Sequence, residues 1–196
     1  MEMDLKEQLK EELLILYREA YFVKAQYILL DRTYNAILSN VDSMKYTLHT
    51  TFDAFEFSVL LKLTKIYDLD PDKQSITLSH VCNKVQCLKE LNNNDPIIKK
   101  YVSKVLKEIN DNNEIEKIKI CRDKVVSHID KKYPNGLLSL KRDEQIDFEL
   151  LKKYTDYAYE TLKEIYRLVY GEMLSDTKQF EILELECNYI NKTLNL

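Results

Sequence analysis

Leu5-Lys-Glu-Gln-Leu9-Lys-Glu-Glu-Leu13-Leu-Ile-Leu16-Tyr-Arg-Glu-Ala20-Tyr-Phe-Val23-Lys-Ala-Gln-Tyr27-Ile-Leu-Leu30 decides the fold class. Its numbered apolar residues recur every three or four positions, the spacing of one face of an α-helix, and never alternate as a strand would. The same period returns in Met44, Leu48, Phe52, Phe55, Val59, Leu63 and Ile66. Asp42 and Ser43 are candidate caps before this second helix, and Asp68-Leu-Asp-Pro71 stops it. A shorter helix carries Leu78, Val81 or Cys82, Val85 and Leu88, and Asn92-Asn-Asn-Asp95 ends it. Pro96 opens the next helix with Asp95 as its expected N-cap and Ile98, Val102, Val105 and Ile109 as its stripe.

Beyond Asp111-Asn-Asn113 the pattern predicts a helix from about residue 114 to residue 131, closed by the turn-forming Tyr133-Pro-Asn-Gly136. Leu151, Tyr154, Ala158, Leu162, Ile165 and Val169 define another long helix. Phe180, Leu183, Cys187, Ile190 and Leu194 define a terminal one. The reading is an all-α protein, an up-and-down helical bundle with additional helices, with residues 1–196 forming a single domain.

Composition narrows the function classes. With 2 glycines and 3 prolines in 196 residues, a Gly-rich phosphate loop, a dinucleotide-binding fingerprint and a turn-dense β-sandwich are all hard to build. The net charge of −4 gives no global attraction to nucleic acid, so a nucleic-acid site must be local. Residues 1–12 alternate charges with leucines and lack the pattern of a signal peptide. The most apolar run, Ala20 to Leu30, is interrupted by Lys24 and Gln26 and is no membrane span. Cys82, Cys87, Cys121 and Cys187 are sparse and read as free thiols in a reducing cytoplasm.

The helix beginning near Glu114 carries the chemistry. With Ile118 at zero and about 100° per residue, Cys121, Val125 and Ile129 share its apolar stripe, with Ile115 and Val126 slightly further out. Arg122 falls at about 40°, inside that stripe, whereas Lys119, Asp123, Ser127 and Asp130 fall on the polar side. A guanidinium there needs a carboxylate, a phosphate or a water-filled cleft, because an unpaired buried charge costs several kcal/mol. His128 lies at the stripe's edge, about 9 Å further along the axis, so the two side chains would flank a groove. Residues 117–142 hold eight lysines and arginines against Asp123 and Asp130, a local basic excess suited to an RNA backbone.

The segment Arg122-Asp-Lys-Val-Val-Ser-His128, with five residues between arginine and histidine, resembles the signature of the HEPN superfamily. Together with Lys65-Ile-Tyr-Asp68 and Ser75-Ile-Thr-Leu-Ser79, the run from Cys121 to Lys131 is similar to its abortive-infection, AbiU2-like branch. The resemblance spans roughly residues 40 to 170. It implies an all-helical fold, a homodimer paired through the motif helix, and a metal-independent ribonuclease acting as a toxin or in antiviral defence.

Two features depart from the pattern. Asp123 stands where many HEPN ribonucleases carry asparagine. His128-Ile-Asp130 lacks the tyrosine that is nucleotidylated in some HEPN toxins, so a partner nucleotidyltransferase is not indicated.

The expected chemistry is RNA transesterification, with Arg122 and His128 catalytic and Asp123, Lys124, Asp130 and Lys131 as orienting or RNA-binding residues. A histidine that titrates near neutrality suits general acid or base work, and an arginine suits the charge that builds on phosphate oxygens. No cofactor or metal is expected. The expected partners are RNA, a second copy of the chain and an antitoxin or regulatory protein. The alternatives are a non-catalytic HEPN module binding RNA, a nucleotide or a partner protein, and a structural helical adaptor.

Other signals read as structural. Asp68, Asp70 and Asp72 imitate the start of a calcium loop, but Lys73 and Ser79 stand where Gly and Glu are needed. His80, Cys82 and Cys87 lack the second ligand pair of a zinc site, and His49 and His80 read as plain surface residues. Tyr27, Tyr101 and Tyr154 fall in apolar stripes and read as core.

Overall fold

A computed structural model describes residues 4–39, 45–68, 76–88, 96–121, 146–175, 180–183 and 185. They form six helices: α1 Leu5–Ser39, α2 Lys45–Ile66, α3 Leu78–Cys87, α4 Pro96–Asp111, α5 Asn113–Cys121 and α6 Phe148–Tyr170, with residues 180–183 also helical. Among the described residues there is no strand, so the all-α expectation holds.

α1 is the central staff. Ser58 of α2 donates to Gln26 and Lys62 reaches Glu19, so α2 runs antiparallel to α1. Tyr17 meets Tyr159, and Tyr170 donates to the backbone of Lys6, so α6 is antiparallel to α1 on its other side. These three long helices make the up-and-down frame, and α3 and α4 pack against each other and against α6.

The stripes read from sequence are the core. Leu9, Leu13, Leu16, Ala20, Val23, Tyr27 and Leu30 are buried in α1, as are Ile98, Val102, Val105 and Ile109 in α4. Every residue of the α6 stripe from Leu151 to Val169 is buried too. Leu5 differs, at 62% exposed, because the first residue of α1 projects beyond the helices that cover the rest of the stripe. α1 also continues nine residues past Leu30, and Tyr34 there stacks on Phe148 at 5.4 Å.

The helix ends follow local chemistry. Thr77 caps α3 by accepting from the N–H of His80, and Asp147 caps α6 by accepting from that of Leu150. α6 stops at Gly171, whose φ of 70° favours a residue without a Cβ. The expected caps Asp42, Ser43 and Asp95, and the stripe residues Cys187, Ile190 and Leu194, lie outside the described residues.

Candidate functional site

Arg122, Asp123, Lys124, His128, Asp130 and Lys131 all lie outside the described residues. Before the motif the description reaches Cys121, the residue preceding Arg122, and defines the helix that ends there and the contacts that hold it. That helix, α5, begins at a cap. The side-chain oxygen of Asn112 accepts from the N–H groups of Glu114 at 2.8 Å and Ile115 at 3.4 Å, satisfying donors that a first turn leaves open. Its amide nitrogen donates to Glu108 of α4. The Asp111-Asn-Asn113 break is thus a hinge one residue long, which fixes the direction of α5 from that of α4.

α5 is then clamped to α6. The Glu114 carboxylate accepts from the Tyr154 hydroxyl at 2.7 Å and from the Lys153 ammonium. Tyr154 in turn offers its backbone carbonyl to the fully buried Tyr67, the residue after α2, at 2.7 Å, so one relay ties the end of α2, α6 and α5 together. Hydrogen bonds from Lys153 and Tyr154 hold the Glu114 carboxyl below the usual carboxylate range. Burial, then the hydrogen bond to Glu114, pushes the Tyr154 hydroxyl up to about 12.

Ile115 and Ile118 are fully buried, as the stripe predicted, and α5 packs on α2. Lys119 corrects the sequence reading: expected on the polar side, it is only 9% exposed. Its aliphatic stem is covered and its ammonium lies 3.9 Å from Glu116, the behaviour of a long amphipathic side chain at a packed edge. The covered arc of α5 therefore runs from Ile118 through Ile115 to Lys119, about 100° wide.

The described surface has two hollows. One, of about 370 Å³, sits at the α4–α5 corner and is lined by Lys104, Lys107, Glu108, Asp111, Asn112 and Asn113. The other, of about 330 Å³, lies between α1 and α6, where Lys24 and Lys163 sit 4.3 and 5.1 Å from the Tyr159 ring centre. Away from both, His80 is no plain surface residue: its Nε2 lies 3.1 Å from Glu12, which also accepts from Lys84 at 2.6 Å. Among the described residues no three His, Cys, Asp or Glu side chains gather as metal ligands.

The residues that hold α5 in place, Glu114, Lys153 and Tyr154, escaped the sequence reading of the site. Asn112 followed by Glu114 carried a cap-like signal, but nothing along the chain pairs Glu114 with a lysine 39 positions later.

A family comparison decides the relationship. The AbiU2 family of HEPN proteins matches residues 5–188, nearly the whole chain and all of the Arg122–His128 segment. The chain belongs to this family. Membership makes it an abortive-infection HEPN module and fits the all-α fold described above. No curated protein and no solved structure gives a match. Among the described residues of this AbiU2-family chain, no helix is long and apolar enough to cross a membrane.

Proposed function

We propose that the chain, acting as one domain in the cytoplasm, is a metal-independent endoribonuclease of toxin or phage-defence type. It works as a homodimer paired through the motif helix, with Arg122 and His128 from both copies at one cleft. The observation that carries this reading is the family match, which spans the entire Arg122–His128 segment. Support comes from α5, which enters that segment with Ile115 and Ile118 buried.

In the proposed reaction the ribose 2′-oxygen attacks phosphorus, loses its proton to a general base and forms a 2′,3′-cyclic phosphate. The P–O5′ bond breaks and the departing 5′-oxygen takes a proton from a general acid. Two copies of His128, one from each subunit, suffice for the two transfers, and Arg122 neutralises the charge on the phosphate oxygens. Asp123, Lys124, Asp130 and Lys131 orient these groups or contact phosphate.

Expression of the wild-type chain should arrest growth, and Arg122→Ala or His128→Ala should abolish the arrest. Purified protein should cut RNA in the presence of a chelator and leave cyclic phosphate ends. Undiminished cleavage by both variants would refute the assignment. Asp123 in place of asparagine favours one other reading, a non-catalytic module that binds RNA, a nucleotide or a partner protein, such as an antitoxin. RNA binding that survives His128→Ala, with no cleavage of any RNA by the wild type, would select it.

A further inference from the structure

Charge is unevenly spread along this chain. Residues 99–142 hold twelve lysines and arginines against six acids, while the remaining residues hold seventeen against twenty-seven. The described start of that basic stretch is α4. Its core side, Ile98, Val102, Val105 and Ile109, is buried, and Lys100, Lys104 and Lys107 stand on the opposite, exposed side at i, i+4 and i+7.

Lys24, Lys62, Lys84, Lys152 and Lys153 each have a carboxylate within 3.8 Å. Lys6, Lys65, Lys99, Lys117 and Lys163 form no ion pair among the described residues, and the three lysines of this face join them. Glu108, the nearest acid along the helix, accepts from Asn112 instead. Three ammonium groups in a row repel one another by a few tenths of a kcal/mol per pair.

We infer that the outer face of α4 is an RNA-backbone surface, separate from the motif, on which Lys100, Lys104 and Lys107 hold substrate. This inference rests on the ribonuclease reading above. Seven residues of helix span about 10 Å, over which a nucleic-acid duplex presents on the order of six phosphates. Lys107 opens onto the α4–α5 corner, where Asn112 starts the helix leading to Arg122. At 1.5 Å per residue, Cys121, the last residue of α5, lies about 13 Å beyond that corner along the helix axis. RNA lying on α4 thus needs only a few nucleotides to reach Cys121, the residue before the motif. Asp111, exposed at the same corner, bounds the surface at its C-terminal end.

The test uses the full chain carrying His128→Ala, so that RNA survives the measurement, and a labelled RNA hairpin with single-stranded arms. Replacing Lys100, Lys104 and Lys107 together by glutamine should weaken binding at least tenfold near 0.1 M salt. The slope of log affinity against log salt should become shallower by about 2, at roughly 0.7 per single-strand contact. Asp111→Asn should strengthen binding.

These side chains are exposed and form no ion pair among the described residues, so the triple variant should melt with its parent. The inference is overturned if the triple variant binds RNA within twofold of its parent and with the same slope, or if the parent binds no RNA at any salt. Loss of binding to phosphatidylserine vesicles with RNA binding intact would also overturn it. The ribonuclease reading fails by a different result, cleavage undiminished in His128→Ala, so the two are judged separately.

Discussion

Glu114→Gln isolates the clamp on α5. The substitution keeps the shape of the side chain and its ability to accept from Tyr154, but removes the charge that the Tyr154 hydroxyl, 2.7 Å away, and the Lys153 ammonium both address. A hydrogen bond to a charged group contributes about 1.5–3 kcal/mol and a neutral one about 0.5–1.5. The Glu114 side chain is 42% exposed and Lys153 57%, so water and salt screen the ion pair and little is added for it. The expected cost at pH 7 is about 1 kcal/mol, or a fall in Tm of about 2–4 °C for a chain of this size.

The pH dependence fixes the sign. Glu114 is held below the usual carboxylate range when folded, so its contribution is fully present above that range. It is lost as pH falls through the folded value, because the protonated acid and the glutamine are then nearly equivalent. Thermal melts of both proteins from pH 7 to pH 3 should show the gap in Tm closing toward the acid end. A gap that stays constant or widens on acidification, or no gap at pH 7, would refute the assignment of Glu114 as a charged clamp.

Two other outcomes follow from packing. Ile118→Ala, at a fully buried position one turn before the motif, should cost about 2–5 kcal/mol in urea unfolding, and Ile118→Val only about 0.5–1.5. With Cys121 and Cys187 replaced by serine, Cys87 should react readily with a thiol reagent at pH 8, being exposed. Cys82, whose thiol is pushed up to about 12 by burial, should react only as fast as the protein opens.

The fold was legible because the apolar stripes were long and strictly helical. A stripe such as Ile98, Val102, Val105 and Ile109 can be satisfied in one way only, by burying that side of one helix, and its residues are buried. Leu5 shows where periodicity fails, since it marks a face but not how far the covering helices extend. Polar pairing was illegible for a different reason. The partner of Glu114 is 39 positions away, that of Glu12 is 68 and 72 positions away, and each depends on the register in which two helices pack. Lys119 was misassigned because an angle on a helical wheel treats a lysine as its charge. In a packed edge its four methylenes decide where it lies.

Arg122→Ala admits a sharper test. The sequence periodicity expects Arg122 inside an apolar stripe, where a guanidinium needs an anion. Two kinds of anion compete: RNA phosphate, or an internal carboxylate such as Glu56 of α2 or Asp68 just beyond its end, both buried. Their consequences for Arg122→Ala differ. An internal clamp leaves a buried carboxylate uncompensated, and the variant should lose about 3–5 kcal/mol of stability along with its activity. A guanidinium facing an RNA cleft is relieved of its own desolvation when removed, so the variant should keep its Tm within a degree or two while growth arrest disappears. Melting the variant beside the toxicity assay therefore separates a residue that acts on RNA from one that only holds the fold, and a large loss of Tm would sink the catalytic role.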